Sequence, residues 1–382
     1  MSDILQDWSQ RIQRATASHT PLRIRGGGTK DFYGQSLEGD ILDTRAYAGI
    51  LSYEPSELVV TVCAGTPLAT LEAALRAQGQ CLPFEPPHFG DAATVGGMVA
   101  AGLSGPARAN VGSVRDFVLG AKMVNGKGEQ LTFGGQVMKN VAGYDLSRLL
   151  AGSMGQLGLI TEVSLKVLPI APGEATLQCT PLSQAQALAC LHRWGGQPLP
   201  LNASAWVMDR TTEPAKACLY LRLRGAVAAV EAGIARIRAD VQALGAQATR
   251  IENTQAAQDW RASGEQHLPF FTQPPSPQDC LWRFSIPQTT PEWNAHFEPY
   301  IEWHGAQRWV WAPATQAAFL RDIAKKAGGH VTLFKSSASH AEADKRVGVF
   351  TALDRVQERI QTELKRQFDP SAIFNPYRTA LK

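Results

Sequence analysis

Residues 22–30 read Leu22-Arg-Ile-Arg-Gly-Gly-Gly-Thr-Lys30, an apolar alternation that runs directly into three glycines. A short strand is expected over residues 22–25 and a tight turn after it. Glycines in series let the backbone reach positive φ and approach a ligand without Cβ interference, and their successive N–H groups can point inward as an anion-binding nest. Arg25, Gly26, Gly27, Gly28, Thr29 and Lys30 are therefore candidates to hold a pyrophosphate. Two further small-residue blocks extend the pattern. One is Ala93-Thr-Val-Gly-Gly-Met-Val-Ala-Ala-Gly-Leu-Ser-Gly105, and the other is Ala151-Gly-Ser-Met-Gly-Gln-Leu-Gly158, with glycines at 152, 155 and 158.

The common nucleotide fingerprints fail on inspection. The G-x-G triplets at Gly26 and Gly126 have Asp31 and Leu131 where a Rossmann turn needs its third glycine. Gly126-Lys127 is followed by Gly128, and Ala121 stands where a Walker loop begins, so a P-loop is excluded as well.

Composition describes a globular chain of 382 residues, 44% hydrophobic and 19% charged, enough for two or three domains. The net charge of +3 comes from scattered residues and argues against nucleic acid. No apolar run of about 18 residues occurs, so no transmembrane helix is expected. The N-terminus reads as an amphipathic helix with Ile4, Leu5, Trp8 and Ile12 on one face, and six cysteines without a C-x-x-C read as free thiols of a reducing cytoplasm.

Along the chain, Thr66 reads as an N-cap and Pro67 as the first helical residue before Leu68, Leu71 and Leu75, while Val163, Leu165 and Val167 alternate in a half-buried strand. Pro169 and Ala171-Pro172-Gly173 mark a boundary. Beyond it the periodicities change in the order β-α-β-β-α-β, which is ferredoxin-like. Residues 252–278 read as a long polar loop. Trp309 and Trp311 share a strand face, and a last helix carries Leu353, Val356, Ile360, Leu364 and Phe368 on one side.

Taken together, the three glycine blocks resemble the FAD-binding domain of the vanillyl-alcohol oxidase superfamily, the PCMH-type domain. Phe368-Asp-Pro-Ser-Ala-Ile-Phe-Asn-Pro-Tyr377 is similar to the closing motif of its hydroxyacid dehydrogenase branch, with Tyr377 in place of the usual glycine. Val137-Met-Lys-Asn-Val-Ala-Gly-Tyr-Asp145 and Ala101-Gly-Leu-Ser-Gly-Pro106 resemble the FAD-binding subunit family of bacterial glycolate oxidases. The resemblance implies an α+β fold: a PCMH-type FAD-binding domain over 1–172, a ferredoxin-like α+β cap domain over 173–340, and a C-terminal helix and tail over 341–382 that return to the first domain.

It also implies non-covalent FAD, since no histidine sits in the cradle. Gly26, Gly27, Gly28 and Thr29 would hold the pyrophosphate, flanked by Arg25 and Lys30. Thr94, Gly96, Gly97, Gly102, Ser104 and Gly105 would line the ring and ribityl side, and Gly155, Gly158 and Ile160 the adenine side. The implied activity is oxidation of glycolate or D-lactate to the 2-oxo acid. The implied partners are a larger flavoprotein subunit and an iron–sulfur subunit, in the cytoplasm or peripheral at the inner membrane through those partners.

The family's His-Gly-Asp-x-Asn-x-His and Glu-His-Gly motifs are absent, and Ser153-Met-Gly-Gln156 replaces Ser-Glu-Gly-Thr. No general base is assigned, and no metal ligands. Lys139, Arg115 and Arg378 are candidate charges for a reduced flavin or a carboxylate. A stand-alone FAD-dependent hydroxyacid or alcohol dehydrogenase and a non-catalytic structural flavoprotein subunit remain as alternatives.

Overall fold

The computed structural model describes residues 2–35, 37–135, 146–211, 213–293 and 297–379. The chain forms two compact units. The first comprises Met1–Ser104, Ser113–Ile170 and Ala352–Lys382, and the second comprises Gly105–Gly112 with Ala171–Thr351.

In the first unit, helix α1 (Ser2–Ser18) precedes a parallel pair, β1 (Leu22–Arg25) and β2 (Asp40–Asp43). Strands β3 (Ile50–Glu54) and β4 (Val59–Cys63), helix α2 (Leu68–Ala77), the short β5 (Gln80–Cys81) and helix α3 (Val95–Ala101) follow. After the chain's excursion into the second unit come α5 (Val114–Phe117), β6 (Val118–Val124), β7 (Gln130–Gly134), β8 (Leu159–Lys166) and β9 (Leu168–Pro169). The main sheet is antiparallel, in the order β3-β4-β8-β6-β7.

Strand β8 is central rather than half-buried. Glu162 and Ser164, on the face expected to meet water, are covered, because Glu162 accepts from Tyr47 Oη (2.9 Å) and pairs with Lys122 (3.0 Å), and Ser164 bonds Thr61. Helix α2 starts one residue later than its cap signal, with Pro67 as N-cap; the Thr66 hydroxyl instead accepts from Gly49 N–H at 2.9 Å. A second apolar cluster joins Trp8 and Ile12 of α1 to Leu22, Leu42, Tyr47, Ile373 and Phe374, so the first strand and the chain's last residues share one core.

The second unit receives α4 (Arg108–Val111) from that excursion. It continues with β10 (Gly173–Thr180), α6 (Gln184–Gly195), β11 (Leu201–Asp209), β12 (Lys216–Gly225), α7 (Val227–Gln242) and β13 (Gln247–Ile251). The antiparallel order β13-β10-β12-β11 is the expected ferredoxin-like arrangement. Through β15 (Tyr300–Glu302) the sheet extends to β16 (Gln307–Pro313), β14 (Asp279–Ser285) and β17 (His330–Lys335), eight strands in all.

The segment read as a long loop contains α8 (Asn253–Gly264) and α9 (Pro269–Thr272). Glu252 caps α8 by accepting from Gln255 N–H (2.9 Å), and Ala256, Trp260 and Ser263 are buried at helical spacing. Helix α10 (Ala317–Lys326) covers part of the sheet, and α11 (Ala341–Asp344) follows β17.

The observed junctions differ from those expected at 172/173 and 340/341. The first falls at 170/171. The second falls at 351/352, because residues 341–351 stay bound to the second unit: Asp344 accepts from Ser337 N–H (2.9 Å) and Val349 C=O from Leu333 N–H (2.9 Å). The excursion of residues 105–112 has no counterpart in the expected division. Helix α12 (Arg355–Phe368) returns to the first unit, but its expected apolar face is largely bare: Val356 is 60% and Ile360 53% exposed, and only the Phe368 end packs, edge-on to Phe133.

Candidate cofactor site

Strand β1 delivers the triglycine turn to an open cleft, lined on one side by residues 24–31 and on another by Thr94, Gly97, Ala100 and Ala101, with Leu37, Met154, Asn375 and Arg378 completing it. The loop of residues 90–94 approaches the turn so closely that a Cβ on Gly27 would lie 1.6 Å from the Ala92 carbonyl oxygen. Gly28 has φ +72°, where a Cβ would also enter the Arg25 guanidinium. Among the described residues, the main-chain N–H groups of Gly26, Gly27, Gly28 and Thr29 have no acceptor in the protein. Four adjacent donors without partners in a cleft are the arrangement that an anion satisfies.

The side chains expected to reach the ligand are largely spent on holding the turn. Thr29 Oγ1 and Lys30 Nζ both donate to the His88 carbonyl, at 2.7 and 3.1 Å. Arg25 Nε donates to Asp31 at 2.8 Å, and Arg23 also pairs with that carboxylate. Arg378 donates to the carbonyls of Gln35 (3.0 Å), Lys30 (3.2 Å), Asp31 (3.1 Å) and Tyr33. Burial lowers its pKa to about 10, so it stays cationic at neutral pH.

Thr94 caps α3, its hydroxyl accepting from Gly97 N–H at 3.2 Å. The remaining predicted residues do not line this cleft. Gly96 packs on Ala64, and Gly102 closes α3 against Gly152. Ser104 Oγ accepts from Val114 N–H (3.2 Å), and Gly105 lies in the second unit with its carbonyl bound by Trp303 Nε1 (3.0 Å). Gly155 sits under the Asn375 amide, Gly158 abuts Met123 at the head of β8, and Ile160 is core within β8. Arg115 is an exposed residue beside Asp116, and Lys139, with the whole 137–145 motif, lies outside the described residues.

The closing motif proves to be more than a family mark. Asn375 Oδ1 accepts from Ile24 N–H (2.8 Å) and its Nδ2 donates to the Met154 carbonyl (2.7 Å). Asp369, fully buried, caps the N–H groups of Ile373 (3.1 Å) and Phe374 (2.8 Å). Lys365 joins Asp369 (2.6 Å) to the carbonyls of Gln156 (2.7 Å) and Phe374 (2.9 Å). Sequence reasoning overlooked Asn375, although the Phe-Asn-Pro triplet was the signal that marks it.

The second unit has its own buried polar centre. Glu302 accepts from Trp309 Nε1 (2.7 Å), Gln307 Nε2 (2.9 Å) and Ser263 Oγ (3.2 Å), and burial raises its pKa. Trp309 is thus a packed wall, edge-on to Phe271 and Phe334. His304 is buried at φ +57° and bonded through Nε2 to Asn110; its Nδ1 has no partner among the described residues.

The donor set of the cleft fits the diphosphate of FAD: four unclaimed amides, a retained cation, and small residues at 97, 100 and 101. The chain's residues 5–134 match the family model described as FAD binding domain. Over 96% of its length the fold superposes on 74% of alkyldihydroxyacetonephosphate synthase with a TM-score of 0.67, at 16% identity. These features define the class as an FAD-dependent oxidoreductase with a PCMH-type FAD-binding domain.

The chain is 42% identical over 98% of its length, and 97% of the relative's, to glycolate oxidase subunit GlcE of Escherichia coli (strain K12), and it belongs to that subunit's family. More distant relatives are a D-lactate dehydrogenase of Archaeoglobus fulgidus, 31% identical over 51% of this chain and 44% of that protein, and glycolate oxidase subunit GlcD of Bacillus subtilis, 32% identical over 45% and 37%.

Proposed function

We propose that this chain is the FAD-holding subunit of a glycolate-oxidising assembly, with FAD bound non-covalently in the cleft between residues 24–31 and 94–101. The four unclaimed amides of residues 26–29 carry this reading. They bind the diphosphate, Arg378 keeps a positive charge beside it, and Gly97, Ala100 and Ala101 leave room for a flat group. Bound FAD supplies a two-electron acceptor for the oxidation of glycolate, and of D-lactate, to the 2-oxo acid.

The cleft's one carboxylate, Asp31, is engaged by two arginines, which favours a proton acceptor contributed from elsewhere. The six cysteines are free thiols, which favours an iron–sulfur partner as the route for electrons, beside a larger flavoprotein subunit. No helix among the described residues is long and apolar enough to cross a membrane. Our reading puts the assembly in the cytoplasm, peripheral at the inner membrane through its partners.

An anaerobic absorption spectrum of the purified chain, before and after glycolate, tests the reading. A flavin band that bleaches with glycolate supports oxidation on this chain, and one that bleaches only when the partners are added supports oxidation by the assembly. A chain that takes up no flavin on reconstitution overturns the proposal. Acid precipitation should release the flavin to the supernatant; flavin retained in the pellet would reject non-covalent binding.

A further inference from the structure

We infer that residues 369–378 form a latch on the cradle, with Asn375 and Arg378 as positioning residues whose order is coupled to FAD binding. The inference rests on the reading that FAD occupies this cleft. Asn375 ties the strand that enters the triglycine turn to the loop across the cleft, through Ile24 N–H and the Met154 carbonyl. Arg378 takes the carbonyls of residues 30, 31, 33 and 35 on the far side of the same turn.

Together they sort the polarity of the turn. The carbonyls of residues 30, 31, 33 and 35, in the segment that follows the turn, are taken by a guanidinium, while the N–H groups of residues 26–29 stay unclaimed, as a diphosphate requires. The latch is itself held at its root by Asp369 and Lys365 and by the fully buried Phe374. Beyond Phe374 its hold on the protein is chiefly polar, so its order depends on the turn it grips.

A ligand that stabilises the gripped form of the turn must stabilise the latch by the same factor, because coupling between two sites is reciprocal. FAD therefore protects the tail, and loss of the latch weakens FAD. ADP carries the diphosphate without the flavin, and it should protect the tail in the same way.

The test is hydrogen exchange on the full chain, stripped of flavin and then reconstituted with FAD or ADP, together with FAD titrations of the wild type, Asn375→Ala, Asn375→Asp, Arg378→Met and Arg378→Lys. The expected results are exchange of the amides of residues 374–379 slowed about tenfold or more by either ligand, and FAD affinity weakened about tenfold or more in Asn375→Ala and Arg378→Met. Arg378→Lys should recover part of the loss, and Asn375→Asp, which keeps the acceptor for Ile24 but loses the donor to Met154, should fall between. If a variant fails to fold, exchange in the wild type decides. FAD that binds tightly while tail exchange is unchanged overturns the latch and leaves the cleft assignment standing; failure of the wild type to bind either ligand overturns the cleft assignment itself.

Discussion

The side-chain amide of Asn110 donates both to the Asn202 carbonyl (2.9 Å) and to His304 Nε2 (2.6 Å), and this fixes the protonation of a buried imidazole. The carbonyl can only accept, so it identifies the NH₂ end of Asn110, and Nε2 must then be the acceptor nitrogen. The proton of neutral His304 lies on Nδ1. Burial lowers the pKa of this residue from 6.5 to about 4. Since the folded value is below the unfolded one, the unfolded chain takes up the extra proton first, and stability falls as pH drops from about 6.5 to about 4, by about 3 kcal/mol. Denaturant unfolding across that range should show a slope that His304→Asn, which tolerates positive φ, largely removes. Nitrogen NMR should find the Nδ1–H tautomer at neutral pH.

Gly27→Ala drives a methyl group into the Ala92 carbonyl and must push the two loops apart. The expected outcome is a colourless protein with the first unit destabilised by up to about 3 kcal/mol. Flavin absorbance after reconstitution and the unfolding transition check both halves of that statement.

Burial raises the pKa of Glu302, so the folded state holds its proton more tightly than the unfolded one, and stability falls as pH rises above the ordinary glutamate range. Glu302→Gln keeps an acceptor for Trp309 and Gln307 and removes the buried charge; its stability at about pH 7 should equal or exceed that of the parent. Glu302→Ala strands those two donors and should cost about 2–4 kcal/mol. Chemical denaturation of the pair separates charge from hydrogen bonding.

Tyr377 stands at φ +59°, a conformation that glycine enters without penalty. Tyr377→Gly should raise the stability of the first unit by about 1 kcal/mol, with FAD affinity equal to or tighter than that of the parent, since the residue belongs to the latch. Calorimetry and a flavin titration measure the two quantities.

The parts of this protein that were legible in sequence are those written locally. The triglycine turn announces itself because no other residue permits the approach of Ala92, and the spacing of Leu68, Leu71 and Leu75 reports the buried face of α2. The Asn375–Ile24 bond joins residues at opposite ends of the chain, so nothing near either one predicts it. Helix α8 was hidden by its polar surface, with only Ala256, Trp260 and Ser263 inward. The apolar side of α12 misled for the opposite reason: periodicity reports that a helix is two-faced, not that its apolar face is covered. The family resemblance puts Gly105 on the ring and ribityl side of the cofactor, whereas hydrogen bonding puts it in the second unit, since small residues suit a close contact with protein as well as with a ligand.

The sharing of one core by the first strand and the last residues has a bearing on how the chain is made. Leu22 N–H donates to the Ile373 carbonyl (2.7 Å), and Asn375 N–H to the Leu22 carbonyl (2.9 Å). A growing polypeptide therefore exposes β1 and its glycine turn on the ribosome long before their closing partner has been synthesised, while residues 171–351 emerge as a nearly self-contained unit. The second unit can fold first, and the first can be completed only after residues 373–375 have left the ribosome. This reverses the usual N-to-C order of domain folding during translation. It also leaves any product truncated before residue 373 with a first unit that cannot close its core.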